Sequence, residues 1–352
     1  MGNIKFSICI PNYNYGQYLG ETIQSVLDQT YQNFEIIIAD NASTDKSVEV
    51  VKSFHDERIQ LIQNKYNIGF SGNVDKAASG ANGDFIILQL SDDILKPHAL
   101  EDFANLINLY SNGEEDVMIC GRIEMSLNGN VIRLVGPKNW DKDAIKKLEK
   151  EGKNNIVSES PLTEICRGVD VFKSLMTTTF SVPGPVQATC FSKSLYDKVG
   201  GYSSPTMKIP DASFGQKICF MNPKVIYYSK TLATMRVHNT SISAEIGKIQ
   251  NIVLLVDKYL LSLEYTDKQL SSVGLSRKVL QTAFIKMWCN KTPMHYLFTG
   301  KIKKFYFYFI FGFSSYPQIM LSRSLTYIII LSSLFSPIFW ITGIIYRRFV
   351  KN

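Results

Sequence analysis

Five short apolar runs divide the first 125 residues, at 4–10, 34–39, 59–63, 85–90 and 117–120. Between them, Tyr18, Leu19, Ile23, Val26 and Leu27, and then Val48, Val51 and Phe54, recur at the spacing of a helix face. Strands that alternate with helices are joined by crossovers rather than hairpins, and each crossover helix covers one face of the sheet. The pattern predicts an α/β fold, a mostly parallel sheet with helices on both faces. Ligands of such sheets bind beyond the carboxyl ends of the strands. The residues that close each apolar run are therefore where chemistry is to be sought.

Those residues are polar in four consecutive cases. Run one closes on Pro11-Asn12-Tyr13-Asn14 and run two on Asp40-Asn41-Ala42-Ser43-Thr44-Asp45. Run three is followed by Asn64 and then Asn67-Ile68-Gly69, and run four by Ser91-Asp92-Asp93. Asn, Asp, Ser and Gly are ordinary turn residues, and any one of these ends could be only that. Four in succession at one edge point to a site. The adjacent acids sharpen it, because unit charges 4 Å apart repel by ~1 kcal/mol in water and ~4 kcal/mol at an effective dielectric of 20. A hard divalent cation, magnesium or manganese, makes such a pair favourable, and it is usually shared with substrate phosphates. Asp92 and Asp93 thus imply a phosphorylated partner, and Asp40 is suited to accept a hydrogen bond from a nucleobase N–H. No G-x-G-x-x-G follows the first run and no G-x-x-x-x-G-K-[ST] occurs, so dinucleotide-binding and P-loop enzymes find no support.

Beyond residue 125 the periodicity dissolves into a stretch of mixed charge around Trp140, read as a solvated helix or loop. Helical spacing returns at 169–176 and 195–199, strand-like runs at 225–228 and 232–237, and helical patterns at 246–263 and 279–288. The six cysteines are scattered without a C-x-x-C pair, which argues against a zinc site or a disulfide framework and fits a reducing compartment. The first apolar run stops at Pro11, too soon for a signal peptide. After Asp267 no acidic residue remains, against twelve Lys or Arg. Lys301, Lys303 and Lys304 before, and Arg347, Arg348 and Lys351 after, flank two apolar, aromatic-rich segments, 305–322 and 324–346, a pattern that predicts contact with anionic lipid rather than nucleic acid. Spanning the bilayer and lying in its plane are both open.

The stretches SICIPNYN, SVLDQTYQNFEIIIADNASTD, NIGFSGN and GDFIILQLSDDIL, in that order and spacing, resemble the nucleotide-sugar-binding half of the family-two inverting glycosyltransferases with the Rossmann-like GT-A fold. The resemblance continues through Gly200-Gly201-Tyr202 to LATMRVHNTSIS. It implies a catalytic domain over residues 1–243, with a nucleotide-sugar half (1–125) and an acceptor half (126–243). A helical region (244–300) and membrane-associating helices (301–352) would follow. It implies metal-dependent transfer of a sugar, with inversion, from a nucleotide-diphosphate donor (a UDP-sugar favoured) to a saccharide acceptor, lipid-linked at the cytoplasmic face of the membrane. Pro11, Asn12 and Tyr13 would line the nucleoside pocket, Asp40 would bind the base, and Asn67 and Gly69 would shape the loop at the ribose and diphosphate. Asp92 and Asp93 would occupy the acidic metal motif, Asp211 would be the catalytic base, and Arg236 and His238 would meet the diphosphate or the metal. The chain departs from the family at Leu90, where Asp-x-Asp commonly begins, and at Pro210-Asp211, where Glu-Asp is usual. These departures keep a second reading in play: a non-catalytic nucleotide-sugar-binding subunit of a membrane glycan-assembly complex.

Overall fold

The structure is a computed structural model that describes residues 3–111, 116–136, 163–177, 183–202, 210–238, 260, 262–284 and 306. Two compact units divide the chain, Met1–Leu175 with Phe180–Lys248, and Met176–Thr179 with Ile249–Asn352.

The first unit is built on a ten-stranded sheet. Strands β1 (Phe6–Asn12), β2 (Phe34–Asp40), β3 (Ile59–Gln63) and β4 (Phe85–Leu88) pair in parallel in the order β3-β2-β1-β4, with α1 (Gly16–Leu27), α2 (Ser47–Ser53) and α3 (Phe70–Ala78) as crossovers. Register follows from the alternation of side chains. Phe6, Ile8 and Ile10 of β1 and Ile36 and Ile38 of β2 join one core with Leu19, Ile23 and Val26 of α1. The intervening Ile37 meets the opposite face, where a side chain at Gly80, just past α3, would crowd it at 3.1 Å. A one-residue slip would turn every core side chain outward, so burial pins the register. That register sets Asn12 opposite Asp40, the last residues of their strands.

Beyond β4 the sheet is mixed, which corrects the mostly parallel expectation. The strand β6 (Val117–Leu127) returns directly as β7 (Asn130–Val135) through Asn128-Gly129, both with left-handed φ (51° and 82°), so a hairpin replaces a crossover. Between β4 and β6 lies β9 (Thr189–Ser192), antiparallel to both. The two expected runs at 225–228 and 232–237 are one strand, β10 (Lys224–Arg236), parallel to β6 and antiparallel to β5 (Ile94–Leu95) and β8 (Thr163–Arg167). Helix α4 (Ala99–Tyr110) adds Phe103, Leu106 and Ile107 to the core.

In the second unit, α8 (Asp267–Ser272) opens with a capping box, Thr266 accepting from the Gln269 N–H while the Gln269 side chain accepts from Thr266. (Helices α5, Gly168–Thr177, α6, Lys193–Lys198, and α7, Pro210–Phe220, precede it in the chain.) Residues 277–284 are helical, in keeping with part of the pattern at 279–288. Trp140, most of 246–263 and nearly all of 301–352 lie outside the described residues, and with them the expected membrane segments. Among the described residues no helix is long and apolar enough to cross a membrane.

Candidate active site

The carboxyl ends of β1 and β2 are joined side chain to side chain. Asn12 is buried and donates through Nδ2 to Asp40 Oδ1 (2.9 Å) and to Ser43 Oγ (3.2 Å). Asp40, also buried, accepts the Ser43 N–H on Oδ2 at 3.0 Å. Both Asp40 oxygens are thus fixed in direction before any ligand arrives. Asn12 Oδ1 is buried and has no hydrogen-bond partner among the described residues. Pro11 is buried within β1, and Tyr13 is 43% exposed at the rim.

A relay of asparagines continues from β2 to the loop after β3. Asn41 donates to Asn67 Oδ1 (2.8 Å) and to the Gly69 carbonyl (3.2 Å), and its Oδ1 accepts from the Ile68 N–H (2.9 Å) and from Asn64 Nδ2 (3.1 Å). Asn64 also donates to Asn73 Oδ1 (2.8 Å), and Asn73 Nδ2 reaches the carbonyls of Ala39 (2.8 Å) and Asn12 (3.2 Å). Hydrogen bonds of side-chain amides thus tie the loop to the strand ends. Gly69, at φ 81°, makes the turn into α3, and its N–H donates to Asn67 Oδ1 at 2.8 Å. Asn67, Gly69 and Phe70 stay exposed.

The acidic pair splits in role. Asp92 is half-buried, and its Oδ2 lies 3.0 Å from His238 Nε2. The His238 ring packs on Tyr18 (4.7 Å between centroids) and edge-on to Tyr15 (5.8 Å). Asp93 is buried, with Oδ1 accepting the Arg236 backbone N–H at 3.0 Å. Burial, and then the Asp92 charge, push the Asp93 carboxyl well above the usual carboxylate range. Burial followed by the charges of Asp92 and Asp93 raises the Tyr15 phenol to about 12. Arg236 spends its guanidinium locally, on the Asp92 carbonyl, Glu21, the Tyr18 carbonyl (3.2 Å) and the Tyr18 ring face (4.9 Å). It ties the end of β10 to α1 and to the acidic turn.

Two donors of the kinds a divalent ion accepts, the Asp92 oxygen and the His238 nitrogen, therefore face each other at the sheet edge. Asp93 points its bonded oxygen at β10 instead, and among the described residues no three His, Cys, Asp or Glu side chains cluster as a metal site. The donor pair fits an ion whose remaining ligands are phosphate and water.

Asp211 lies in the first turn of α7 and accepts a bond from the Tyr202 hydroxyl. Burial raises its pKa, and the Tyr202 bond pulls against that rise. The structure thus gathers Asn12, Asp40, Asn67 and Gly69 around one asparagine relay, and Asp92, Arg236 and His238 around another set of contacts at the same edge. Asn41, Asn64, Asn73, Glu21 and Tyr202 hold these contacts together and were not singled out as site residues from the sequence. Asn41 and Asn64 stood at strand ends, Asn73 closes NIGFSGN and Tyr202 follows Gly200-Gly201, which was the available signal.

Open-edged α/β sheets with polar strand ends of this kind define a class of nucleotide-binding folds. The narrower identification comes from comparison: residues 7–162 match the family model Glycosyl transferase family 2. The chain is 39% identical over 100 residues to the "Putative glycosyltransferase EpsE" of Bacillus subtilis, covering 28% of this chain and 36% of that one. It is also 39% identical over 101 residues to the Escherichia coli "UDP-Glc:alpha-D-GlcNAc-diphosphoundecaprenol beta-1,3-glucosyltransferase WfgD", covering 29% and 40%. The match spans little more than a third of these relatives. Among solved structures, S. aureus TarS 1-349 in complex with UDP superposes with a TM-score of 0.52 at 16% identity, over 90% of this chain and 92% of that chain. The mannosyltransferase PcManGT from Pyrobaculum calidifontis, in complex with GDP-Man and Mn2+, gives 0.52 at 14%, over 94% and 79%. Residues 7–162 are thus similar to glycosyltransferase family 2, and the solved neighbours share the GT-A fold of this chain.

Proposed function

We propose that the protein transfers a sugar from a nucleotide-diphosphate sugar, with UDP-sugars the first candidates, to a hydroxyl of a saccharide acceptor carried on a lipid. The observation that carries this reading is the meeting, at one sheet edge, of the Asn12–Asp40 pair, the Asn67–Gly69 loop and the Asp92–His238 pair. The donor class finds support in the UDP and GDP-Man named for the two structural neighbours, and the lipid-linked acceptor in the diphosphoundecaprenol named for WfgD.

In this reading Asp40 and Asn12 receive the base, with the spare Asn12 Oδ1 as one further acceptor. The Asn67–Gly69 loop lies along the ribose and diphosphate. Asp92 and His238 would hold manganese or magnesium, which when bound supplies positive charge at the leaving diphosphate. Arg236 keeps the Asp92 main chain and the Tyr18 ring in place, so the two donors stay opposed. Asp211 takes the acceptor hydroxyl's proton as that oxygen attacks the anomeric carbon. A single displacement of this kind inverts the anomeric configuration. The apolar, basic residues 301–352 would hold the domain at the cytoplasmic face of the membrane, where a lipid-linked acceptor is concentrated.

The test uses the full chain in detergent with a panel of nucleotide sugars, manganese or magnesium, and lipid-linked acceptors, following release of nucleotide diphosphate. Release that needs the metal, prefers one donor and disappears in Asp92→Asn and Asp211→Asn supports the proposal. Binding of donor with no release across the acceptor panel would favour the non-catalytic binding subunit.

A further inference from the structure

Resting on the transferase reading above, we propose that Asp75 is a positioning residue of the reaction: it seats the Gly201–Tyr202 turn, and Tyr202 in turn fixes the Asp211 carboxylate. No feature of the sequence draws attention to Asp75, which sits inside α3 like any surface acid. In the structure its Oδ1 does two things at once. It accepts the Tyr202 backbone N–H at 2.6 Å and the hydroxyl of Tyr196. The turn is shaped for this approach, since Gly200 and Gly201 have φ of 78° and 92°, and a Cβ on Gly201 would lie 2.7 Å from the same Asp75 oxygen. Only a glycine lets the carboxylate come so close.

Tyr202 carries the constraint onward. Its side chain is buried, its ring packs on Phe214 of α7 (4.8 Å between centroids), and its hydroxyl donates to Asp211 in the same helix. The ring also meets Phe70 edge-on at 6.0 Å. Phe70 is the first residue of α3, directly after Gly69 of the donor loop. One nine-residue helix therefore bears the end of the donor loop on its first residue and the seat of the base on Asp75. A helix is stiff over that length, so donor loop and base are held at a fixed separation. A misplacement of about 1 Å between reacting groups can cost on the order of 100-fold in rate. This is a role a merely stabilising carboxylate would not have.

The experiment follows the Asp211 carboxyl by 13C NMR titration, the signal assigned by its loss in Asp211→Asn, alongside donor turnover in the full chain. Tyr202→Phe keeps the ring and its packing but removes the hydroxyl, and the Asp211 midpoint should rise by about one pH unit, as expected for a carboxylate losing one hydrogen bond. Loss of turnover at low pH should then set in at correspondingly higher pH. Asp75→Ala should raise the midpoint in the same direction and lower kcat about tenfold or more, with the donor dissociation constant nearly unchanged. Asp75→Asn, whose carbonyl oxygen can still accept from both partners, should restore both properties. An unshifted Asp211 titration in Tyr202→Phe, or wild-type kcat in a folded Asp75→Ala, overturns the inference. Failure of the transferase reading looks different. The wild-type chain would then release no diphosphate from any donor, while the titrations still decide whether Asp75 and Tyr202 act on Asp211.

Discussion

Asn73→Ala should destabilise the protein far more than Asn67→Ala, although both remove an asparagine from the same relay. Asn73 is buried and makes three bonds, to Ala39 O (2.8 Å), Asn12 O (3.2 Å) and from Asn64 Nδ2 (2.8 Å). The Asn12 carbonyl keeps a second partner, the Asn41 N–H at 2.9 Å, and Asn64 keeps Asn41. The substitution therefore weakens two satisfied groups and strips the side-chain bond from the Ala39 carbonyl. With ~1 kcal/mol for each of the three net bonds, the loss is about 3 kcal/mol. Asn67 is exposed, and water can replace its bonds to Asn41 and the Gly69 N–H, so its removal should cost about 0.5–1 kcal/mol. The order should reverse for ligand. Asn67→Ala loosens the loop proposed to lie along the diphosphate and should weaken UDP binding several-fold. Urea unfolding followed by far-UV circular dichroism gives the first comparison and titration calorimetry with UDP the second. If Asn73→Ala costs less than about 1 kcal/mol, or no more than Asn67→Ala, the relay is not the structural element described.

Three further outcomes are expected. Burial raises the Glu35 pKa, but bonds from Lys5, Ser7 and the Asn82 N–H more than offset this and bring it below 4.5. A lowered folded pKa contributes stability above the ordinary carboxylate pKa and loses it as pH falls through the lowered value. The stability deficit of Glu35→Gln should therefore be full at neutral pH and fade in acid, as read from urea midpoints across pH. Gly201→Ala should cost on the order of 2 kcal/mol, from left-handed strain plus the clash with Asp75, which thermal unfolding would register. Arg236→Lys keeps the charge but cannot reach the Asp92 carbonyl, Glu21 and the Tyr18 carbonyl together, so it should lower stability by roughly 1–3 kcal/mol and weaken donor binding.

How much of this was legible in the sequence depended on how local each cause was. Strand β3 was read to the residue, and β1, β2 and β4 to within two, because their apolar runs are bounded by polar turns. The hairpin β6–β7 escaped because its far strand, NVIRLV, has Val131 and Ile132 both more than half exposed and no core face to set a period. Helix α7 escaped for the opposite reason: Ala212 through Gln216 are all buried, so it shows no amphipathic stripe. Strand β10 read as two because Ser229-Lys230-Thr231 interrupts it, at the point where its pairing with β6 shifts register.

The site divides along the same line. Asn12, Asp40, Asn67 and Asp92 were visible because each closes a strand or its turn, and a strand's end is a local property. What their side chains touch was not. Arg236 bonds Glu21, 215 residues away, and Tyr202 bonds Asp75, 127 away. Contacts at that separation are fixed by the folded sheet, and no spacing in the chain records them. The departure at Leu90 also changes meaning once the fold is in view. The acid missing there leaves Asp92 with His238, not Asp93, as its neighbour at the open edge, while Asp93 is drawn in to cap the Arg236 N–H. An oxygen and an imidazole nitrogen make a weaker, softer seat than a pair of carboxylates. Metal affinity should accordingly depend on the donor's own phosphates for the rest of the coordination shell. Manganese binding should then be weak without nucleotide and tighten when UDP is present, a difference that calorimetry with and without UDP reads directly. Equal affinity in both would mean that Asp93 turns outward to complete the site.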